Sequence, residues 1–426
     1  MTKLDEAAAS CMKCGFCKAA CPVFFGEETD SPRAKVRLAR AVARGELELT
    51  AGVRRRMERC LNCWACTVEC PSGVEPNKIA LAMRSAYVER DGLPFLEGLI
   101  FRVGLRRPRL AAWGLKAVGL AESVSAIRLQ GNPLRRLLPV LGMRRDKDLP
   151  QLGRRTLMSR LPERIEPLGE IRSEVLYFPG CAANFIYPEV GLAAVSVLRK
   201  LGALVVLPHE LVCCSTPVFN SGDIEGAREL AARNIEIIRA AKPDLIVTSC
   251  GSCGLTIKRE WSEVLGIREA DELAAKVVDI SQFVARYADA VVTDGEVGIL
   301  CGGPNGVLGE SAKVTYHDSC HLRRGMGVYK EPRELLRAIL GNRFVEMEQA
   351  DRCCGGGGTF SIHHPELSQE VAEVKMRCLA ESKAQLVAAG CLACVMQLTD
   401  SIVHRKMPQR AIHFVEIIDR ALRPVE

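Results

Sequence analysis

Cys391-Leu392-Ala393-Cys394, preceded by Cys353-Cys354-Gly355 and by a lone Cys320, is the second appearance of a pattern. The first is Cys181, then Cys213-Cys214, then Cys250-Gly251-Ser252-Cys253. The gaps are 31 and 35 residues in the first set and 32 and 36 in the second. Agreement at five points marks a duplicated module whose cysteines converge in space, and cysteines so spaced point to a metal. Around them strand and helix patterns alternate. In the first copy Glu174–Phe178, Ala203–Leu207 and Leu245–Thr248 read as strands, and Ala193–Leu201 and Ile224–Ala241 as helices. In the second, Val314–Tyr316, Phe344–Glu346 and Leu386–Ala388 read as strands, with Arg333–Leu340 and Glu366–Ser382 as helices. This order predicts parallel sheets with crossover helices, and places the cysteines in loops at the carboxyl ends of the strands.

The chain has 426 residues, 48% of them hydrophobic and 26% charged, which suffices for several packed domains. Its 20 cysteines fit either a secreted disulfide scaffold or a reduced, metal-loaded protein. Residues 1–10 are polar and offer no signal peptide, and no run of 18 apolar residues occurs, so the expectation is a cytoplasmic protein whose thiols are ligands. Of the net charge of +7, a local +10 falls between Phe101 and Arg172 (16 Lys/Arg against 6 Asp/Glu), leaving −3 elsewhere. That distribution is not that of a nucleic-acid binder.

Upstream, Cys11, Cys14, Cys17 and Cys21-Pro22 are spaced C-x2-C-x2-C-x3-C-P, and Cys60, Cys63, Cys66 and Cys70-Pro71 repeat the spacing. Such runs hold cubane 4Fe–4S clusters, the fourth cysteine of each serving the other cluster. One cluster is therefore assigned to Cys11, Cys14, Cys17 and Cys70, the second to Cys60, Cys63, Cys66 and Cys21. Zinc more often uses two separated C-x-x-C pairs. The 38 intervening residues read as helix, with Ser31 as N-cap, Pro32 at the first position, Gly45 as the stop, and Ala34, Leu38, Ala41 and Val42 on one face. Further helices are expected from Thr50 to Met57 and from Pro76 to Arg90, and Phe16 and Trp64 as apolar walls of the cluster loops.

Residues 96–172 form a basic connector. Leu96, Leu99, Ile100 and Val103 suggest a short helix ending before Pro108, and Leu110, Trp113, Ala117, Leu120, Val124 and Ile127 recur at helical spacing. The flanking arginines (Arg106, Arg107, Arg109, Arg128, Arg135, Arg136, Arg144, Arg145) suit a linker packed on its own protein or a surface for a partner or an anionic membrane.

The paired patterns C-x31-CC-x35-C-x-x-C and C-x32-CCG-x36-C-x-x-C resemble the cysteine-rich CCG domain of heterodisulfide reductase subunits and of the glycolate oxidase iron–sulfur subunit. Cys14-Gly-Phe-Cys17, Ser31-Pro-Arg-Ala34, Arg59-Cys-Leu-Asn-Cys63 and Cys70-Pro-Ser-Gly-Val74 resemble the latter closely. The fold class expected is α+β: a helical two-cluster ferredoxin domain (1–95), the connector (96–172), and two α/β CCG modules (173–295 and 296–426). The resemblance implies a further iron–sulfur cluster, noncubane 4Fe–4S, on all five cysteines of a module. Gly355–Gly358 would let backbone approach it, whereas Ser215 stands where the first module should have glycine. The first site thus stays open between an iron–sulfur cluster and zinc, and Cys320, Cys353, Cys354, Cys391 and Cys394 form the candidate redox site. His209, His317 and His321 read as structural or as donors near the sulfurs, Cys378 as a buried helix thiol, and Cys301 falls outside every motif.

No G-x-G-x-x-G opens a helix after a strand, and no P-loop appears. The expectation is an electron-transfer subunit of a flavin-dependent 2-hydroxy-acid (glycolate or D-lactate) dehydrogenase, with FAD only in a partner subunit. Its acceptor would be a quinone, an electron-transfer flavoprotein or another carrier, and its place the cytoplasm or the inner membrane face. Two alternatives remain: a heterodisulfide-reductase-like catalyst, and a zinc-stapled scaffold.

Overall fold

The computed structural model describes residues 2–107, 147, 155–287 and 312–422. The helix expected from Leu110 to Ile127, the arginines from Arg109 to Arg145, and Cys301 lie outside them.

Three helices carry the N-terminal part. Pro32–Ala43 starts where Ser31 accepts the Ala34 N–H, Ala51–Glu58 where Thr50 accepts the Val53 N–H, and Pro76–Asp91 on a proline. The first turns a different face inward from the one expected: Lys35, Val36, Ala39 and Val42 are buried, while Ala34, Leu38 and Ala41 are only partly so. The reason is Lys35, whose ammonium is buried and donates to the carbonyl of Asp30, so a charged residue occupies a core position. Val36, Met57, Ile79, Met83 and Tyr87 complete this core.

The first module is a five-stranded sheet, in the order β1-β3-β2-β4-β5. The strands are β1 (Arg164–Ile165), β2 (Ser173–Tyr177), β3 (Ala203–Val206), β4 (Leu245–Thr248) and β5 (Val277–Asp279). All pairs are parallel except β1 with β3, so an edge strand comes from the end of the stretch read as connector. The second module has β6 (Val314–His317), β7 (Leu386–Ala389) and β8 (Arg410–His413), parallel throughout. Phe344–Glu346 is not a strand. Phe344 makes one parallel bridge to Val314, at the position β3 holds beside β2. β5 and β8 escaped the sequence reading because each is short and runs straight into a helix, Ile280–Ala285 and Phe414–Ala421.

The central strands β3, β4 and β7 read as near-continuous apolar runs because helices cover both faces. One core joins Val175, Val205 and Val247 of the first sheet to Val314, Leu386 and Phe414 of the second module, so the modules are packed as one body. Arg84 ties on the N-terminal part. Its buried guanidinium donates to the carbonyls of Met57 (2.9 Å), Glu58 (3.0 Å) and Cys60, and of Asn220 in the first module (2.7 Å).

Asp279 caps the helix that follows β5, accepting the Ser281 N–H at 2.9 Å, and is fully buried. Burial pushes its carboxyl up to about 7. The unfolded chain releases this proton near the ordinary carboxylate value, so native stability falls as pH rises from about 4 to 7. Asp279→Asn, which keeps a capping oxygen, is expected to remove this part of the decline, at most about 4 kcal/mol. Denaturation midpoints of both forms at pH 5 and pH 8 check it.

Candidate metal centres

The N-terminal cysteines fall into two groups. Cys11, Cys14, Cys17 and Cys70 line one small cavity, and Cys21, Cys60, Cys63 and Cys66 line another with Pro22, Val23 and Leu61. This is the crossed partition read from the spacing. Both loops turn through left-handed residues, Lys13 (φ 63°) and Gly15 (φ 90°) in one, Asn62 (φ 50°) and Trp64 (φ 64°) in the other. Burial pushes the Cys63 and Cys66 thiols up, so a bound cation is needed to hold both as thiolates. Four sulfurs around one apolar cavity fit a cubane. Trp64 is buried in its loop, with Arg259 stacked on its ring at 4.5 Å, and does not line the cysteine cavity. Phe16 is not the expected wall either, being 64% exposed.

Most of the module cysteines sit past the carboxyl ends of parallel strands: Cys181 after β2, Cys213-Cys214 after β3, Cys250 after β4, Cys320 after β6 and Cys391 after β7, whereas Cys353-Cys354 follow only the bridge at Phe344. Within the first set Cys181 and Cys213 lie 3.9 Å apart, and the Cys213 and Cys253 thiols hold Cys214 well below the usual thiol range. Within the second, the Cys320 and Cys354 thiols hold Cys353 well below the usual thiol range, and the Cys354 and Cys394 sulfurs lie within 4.8 Å of each other. The two sets also touch. Cys250 and Cys391 are 3.7 Å apart, and the Gly251 N–H donates to the Gly390 carbonyl at 3.1 Å. Residue order carries no sign of this seam, since gaps within a repeat say nothing about how two repeats face each other. Cys63 belongs with Cys353 to one buried cluster that also holds Leu61 and Phe360.

The two adjacent-cysteine loops differ in side chains and agree in backbone. Ser215 has φ 82° where Gly355 has φ 88°, so the missing glycine leaves the turn unchanged. Around Ser215 the environment is hydroxylic. The Cys214 sulfur meets Thr216 Oγ1 at 3.1 Å, Thr216 meets Thr256 Oγ1 at 2.6 Å, and Thr256 donates to Glu260 at 2.7 Å. Glu260 is fully buried, which raises its carboxyl, and it accepts from Asn62 Nδ2 at 3.4 Å. It reads as a surface charge in Lys258-Arg259-Glu260, and no local signal marks it. Around Gly355 the backbone supplies the contacts. Its N–H points at the Cys353 sulfur (3.4 Å), and its carbonyl accepts the Ser368 hydroxyl (2.8 Å).

The histidines divide. His209 bonds the Leu161 carbonyl at 3.1 Å, and His321 spans from the Asn62 carbonyl (2.9 Å) to the Ser252 hydroxyl (3.1 Å). Both hold structure together. His317 is different, because its nitrogen lies within 4.8 Å of the Cys354 and Cys394 sulfurs, an N/S2 donor set. Cys378 is a buried helix thiol, as read.

Similarity to known proteins follows the same division. A cysteine-rich CCG domain matches at residues 175–258 and 314–399, and a 4Fe-4S dicluster domain at residues 7–74. The lactate utilization protein A of Geobacillus thermodenitrificans is 32% identical over 58% of this chain and 98% of that protein. The chain belongs to the glycolate oxidase iron–sulfur subunit and heterodisulfide reductase D-like family. The probable glycolate oxidase iron-sulfur subunit of Bacillus subtilis is 28% identical over 98% of this chain and 94% of its own length. A subunit of the fumarate reductase (CoM/CoB) of Methanothermobacter marburgensis is 32% identical over 58% of this chain and 46% of that protein. The dicluster-domain match and the name of the Bacillus subtilis relative agree with the iron–sulfur character that the cysteine geometry accommodates. Among the described residues no helix is long and apolar enough to cross a membrane.

A Cβ on Gly355 would run into the Ser368 carbonyl oxygen, whereas Ser215 already carries one at the same φ. Gly355→Ala is expected to cost about 3 kcal/mol or more, and Ser215→Gly to stay within about 1 kcal/mol of the parent. Thermal melts of the two variants, with iron per chain counted, decide it.

Proposed function

We propose that this chain is the electron-relay subunit of a flavin-dependent 2-hydroxy-acid dehydrogenase acting on glycolate or D-lactate. FAD resides in a separate subunit that oxidises the hydroxy acid. Cys11, Cys14, Cys17 and Cys70 would hold one 4Fe–4S cubane, and Cys21, Cys60, Cys63 and Cys66 a second. The module cysteines would hold one or two further clusters, and the final acceptor is a quinone or an electron-transfer flavoprotein. The domain bounds read from the sequence (1–95, 96–172, 173–295, 296–426) are carried forward with it. The observation that supports a relay is the continuity of the sulfur sites. The second N-terminal site abuts the second module through Cys63 and Cys353, and the second module abuts the first through Cys250 and Cys391. The order this suggests is first N-terminal site, second N-terminal site, second module, first module. When bound, the clusters supply one-electron chemistry, and the chain supplies burial and hydrogen bonds to sulfur that tune it. The near full-length similarity to the probable glycolate oxidase iron-sulfur subunit supports the substrate class.

A zinc-stapled scaffold is favoured by one feature, the His317, Cys354 and Cys394 donor set, which lies in the second module and not in the first. Anaerobic native purification from the source cell, with flavin, iron and zinc counted, separates the readings. A relay is expected to co-purify with a flavoprotein whose hydroxy-acid substrate bleaches the iron–sulfur absorption. Isolated chain that cleaves a disulfide and binds no flavoprotein would instead identify a catalyst, and zinc in place of module iron a scaffold.

A further inference from the structure

A cavity of about 390 Å³ opens where the N-terminal part and both modules meet. Its walls include Arg84 and Val88 from the N-terminal part, Ser221 from the first module, and Thr359 and Phe360 from the second. Among the described residues no cysteine lines it. Phe360, which lines the cavity, is buried in the cluster that also contains Cys63 and Cys353, so one continuous apolar cluster joins the cavity to two of the sulfur sites. An occupant could exchange electrons with those sites and could not bond to a metal in them.

Most of the polar groups in the wall are already engaged. Arg54 donates to Glu58 at 2.7 Å and Glu97 faces His363 at 3.4 Å, while Arg84, which has no carboxylate partner among the described residues, gives its N–H groups to the carbonyls of Met57, Glu58, Cys60 and Asn220. A charged ligand would shed its hydration there and find these donors and acceptors already engaged, so the cavity favours a neutral one. Val88, Leu93, Pro94 and Phe360 offer it apolar surface, and Phe360 with His364 an aromatic pair (centroids 5.2 Å).

A line of exchangeable protons reaches the same place. Thr359 Oγ1 lies 3.2 Å from Ser221 Oγ, Ser221 donates to Glu97, and the other Glu97 oxygen meets His363 Nε2, whose side chain is 48% exposed. Burial works against the Glu97 carboxylate, yet its bonds to His363 and Ser221 keep it below the usual range, and the pairing raises His363. The neighbouring charged groups are Arg54, Glu58 and Arg84.

We infer that this cavity binds the ring of a quinone, with Thr359 donating to a ring carbonyl. The step would be Q + 2e⁻ + 2H⁺ → QH₂. The two electrons would come one each from two iron–sulfur centres that the cysteine sites would hold, refilled from the partner's reduced flavin, and both carbonyl oxygens would become hydroxyls. The first proton arrives along Thr359, Ser221, Glu97 and His363, and the second follows once His363 is reprotonated from water. A disulfide is also neutral, but it has no flat face to set against Phe360 and finds no metal to receive a sulfur. The inference rests on the relay reading and names its acceptor.

The test uses the full chain purified anaerobically with its iron. Calorimetric titration with a soluble ubiquinone bearing one isoprene unit is expected to give one micromolar site per chain. Thr359→Val should weaken it about tenfold, the worth of one hydrogen bond, and Thr359→Trp should abolish it by filling the space. Iron content and visible spectrum report that each variant has folded. No binding by the parent, variants that bind as tightly as the parent, or displacement of quinone by a dialkyl disulfide would overturn the assignment. The relay reading fails separately: if the reduced flavoprotein does not bleach the iron–sulfur absorption, the relay is wrong whether or not quinone binds. Bleaching without quinone binding removes only the cavity's role.

Discussion

Asn62 is the point on which the three parts of this chain are hung. Its side-chain oxygen accepts from Asn77 at 2.8 Å, its amide donates to Asn220 at 3.0 Å and to Glu260, and its backbone carbonyl accepts from His321. One residue, 1% exposed, thus binds its own domain and both modules. A buried polar network of this kind fixes geometry because each unmet member costs about 1–3 kcal/mol. Asn62 also lies between Cys60 and Cys63 with φ 50°, so the loop that shapes one sulfur site is the peg that positions the others.

The duplication supplies two sites of the same backbone form and the chain then makes them unequal. The first is backed by Thr216, Thr256 and the buried carboxyl of Glu260. The second is backed by Lys375, which donates to the carbonyls of Gln349 (2.7 Å) and Ala350 (2.9 Å) and whose ammonium burial brings down to about 8. Fixed charge near a metal centre sets how readily it accepts an electron. A carboxyl behind one site and an ammonium behind the other give twin scaffolds different electrical settings.

What could be read from the sequence was whatever depends on local spacing. The crossed N-terminal grouping, the strand-end cysteines and helices such as Ile224–Ala241 follow from residue order alone. Contacts between parts had no such signature. The Cys250–Cys391 meeting, the role of Asn62 and the burial of Glu260 each join residues 141, 158 or 198 positions apart. Two misreadings share a cause. Lys35 took a core place on the strength of a hydrogen bond, and Phe344–Glu346 shrank to a bridge, because tertiary partners overrode hydropathy and propensity.

Exposure falls steeply along the sulfur path. Cys14 is open to solvent, while Cys214 and Cys391 are each 2% exposed beneath the closed modules. A ribosome delivers the first module before residues 390 and 391 exist, and during that interval Cys250 has no opposite number. The seam itself closes only when the Gly251 N–H reaches the Gly390 carbonyl. Any group that the inner sites hold would have to enter before that seam closes, whereas the outermost pocket, at Cys14, stays open to exchange once the fold is shut.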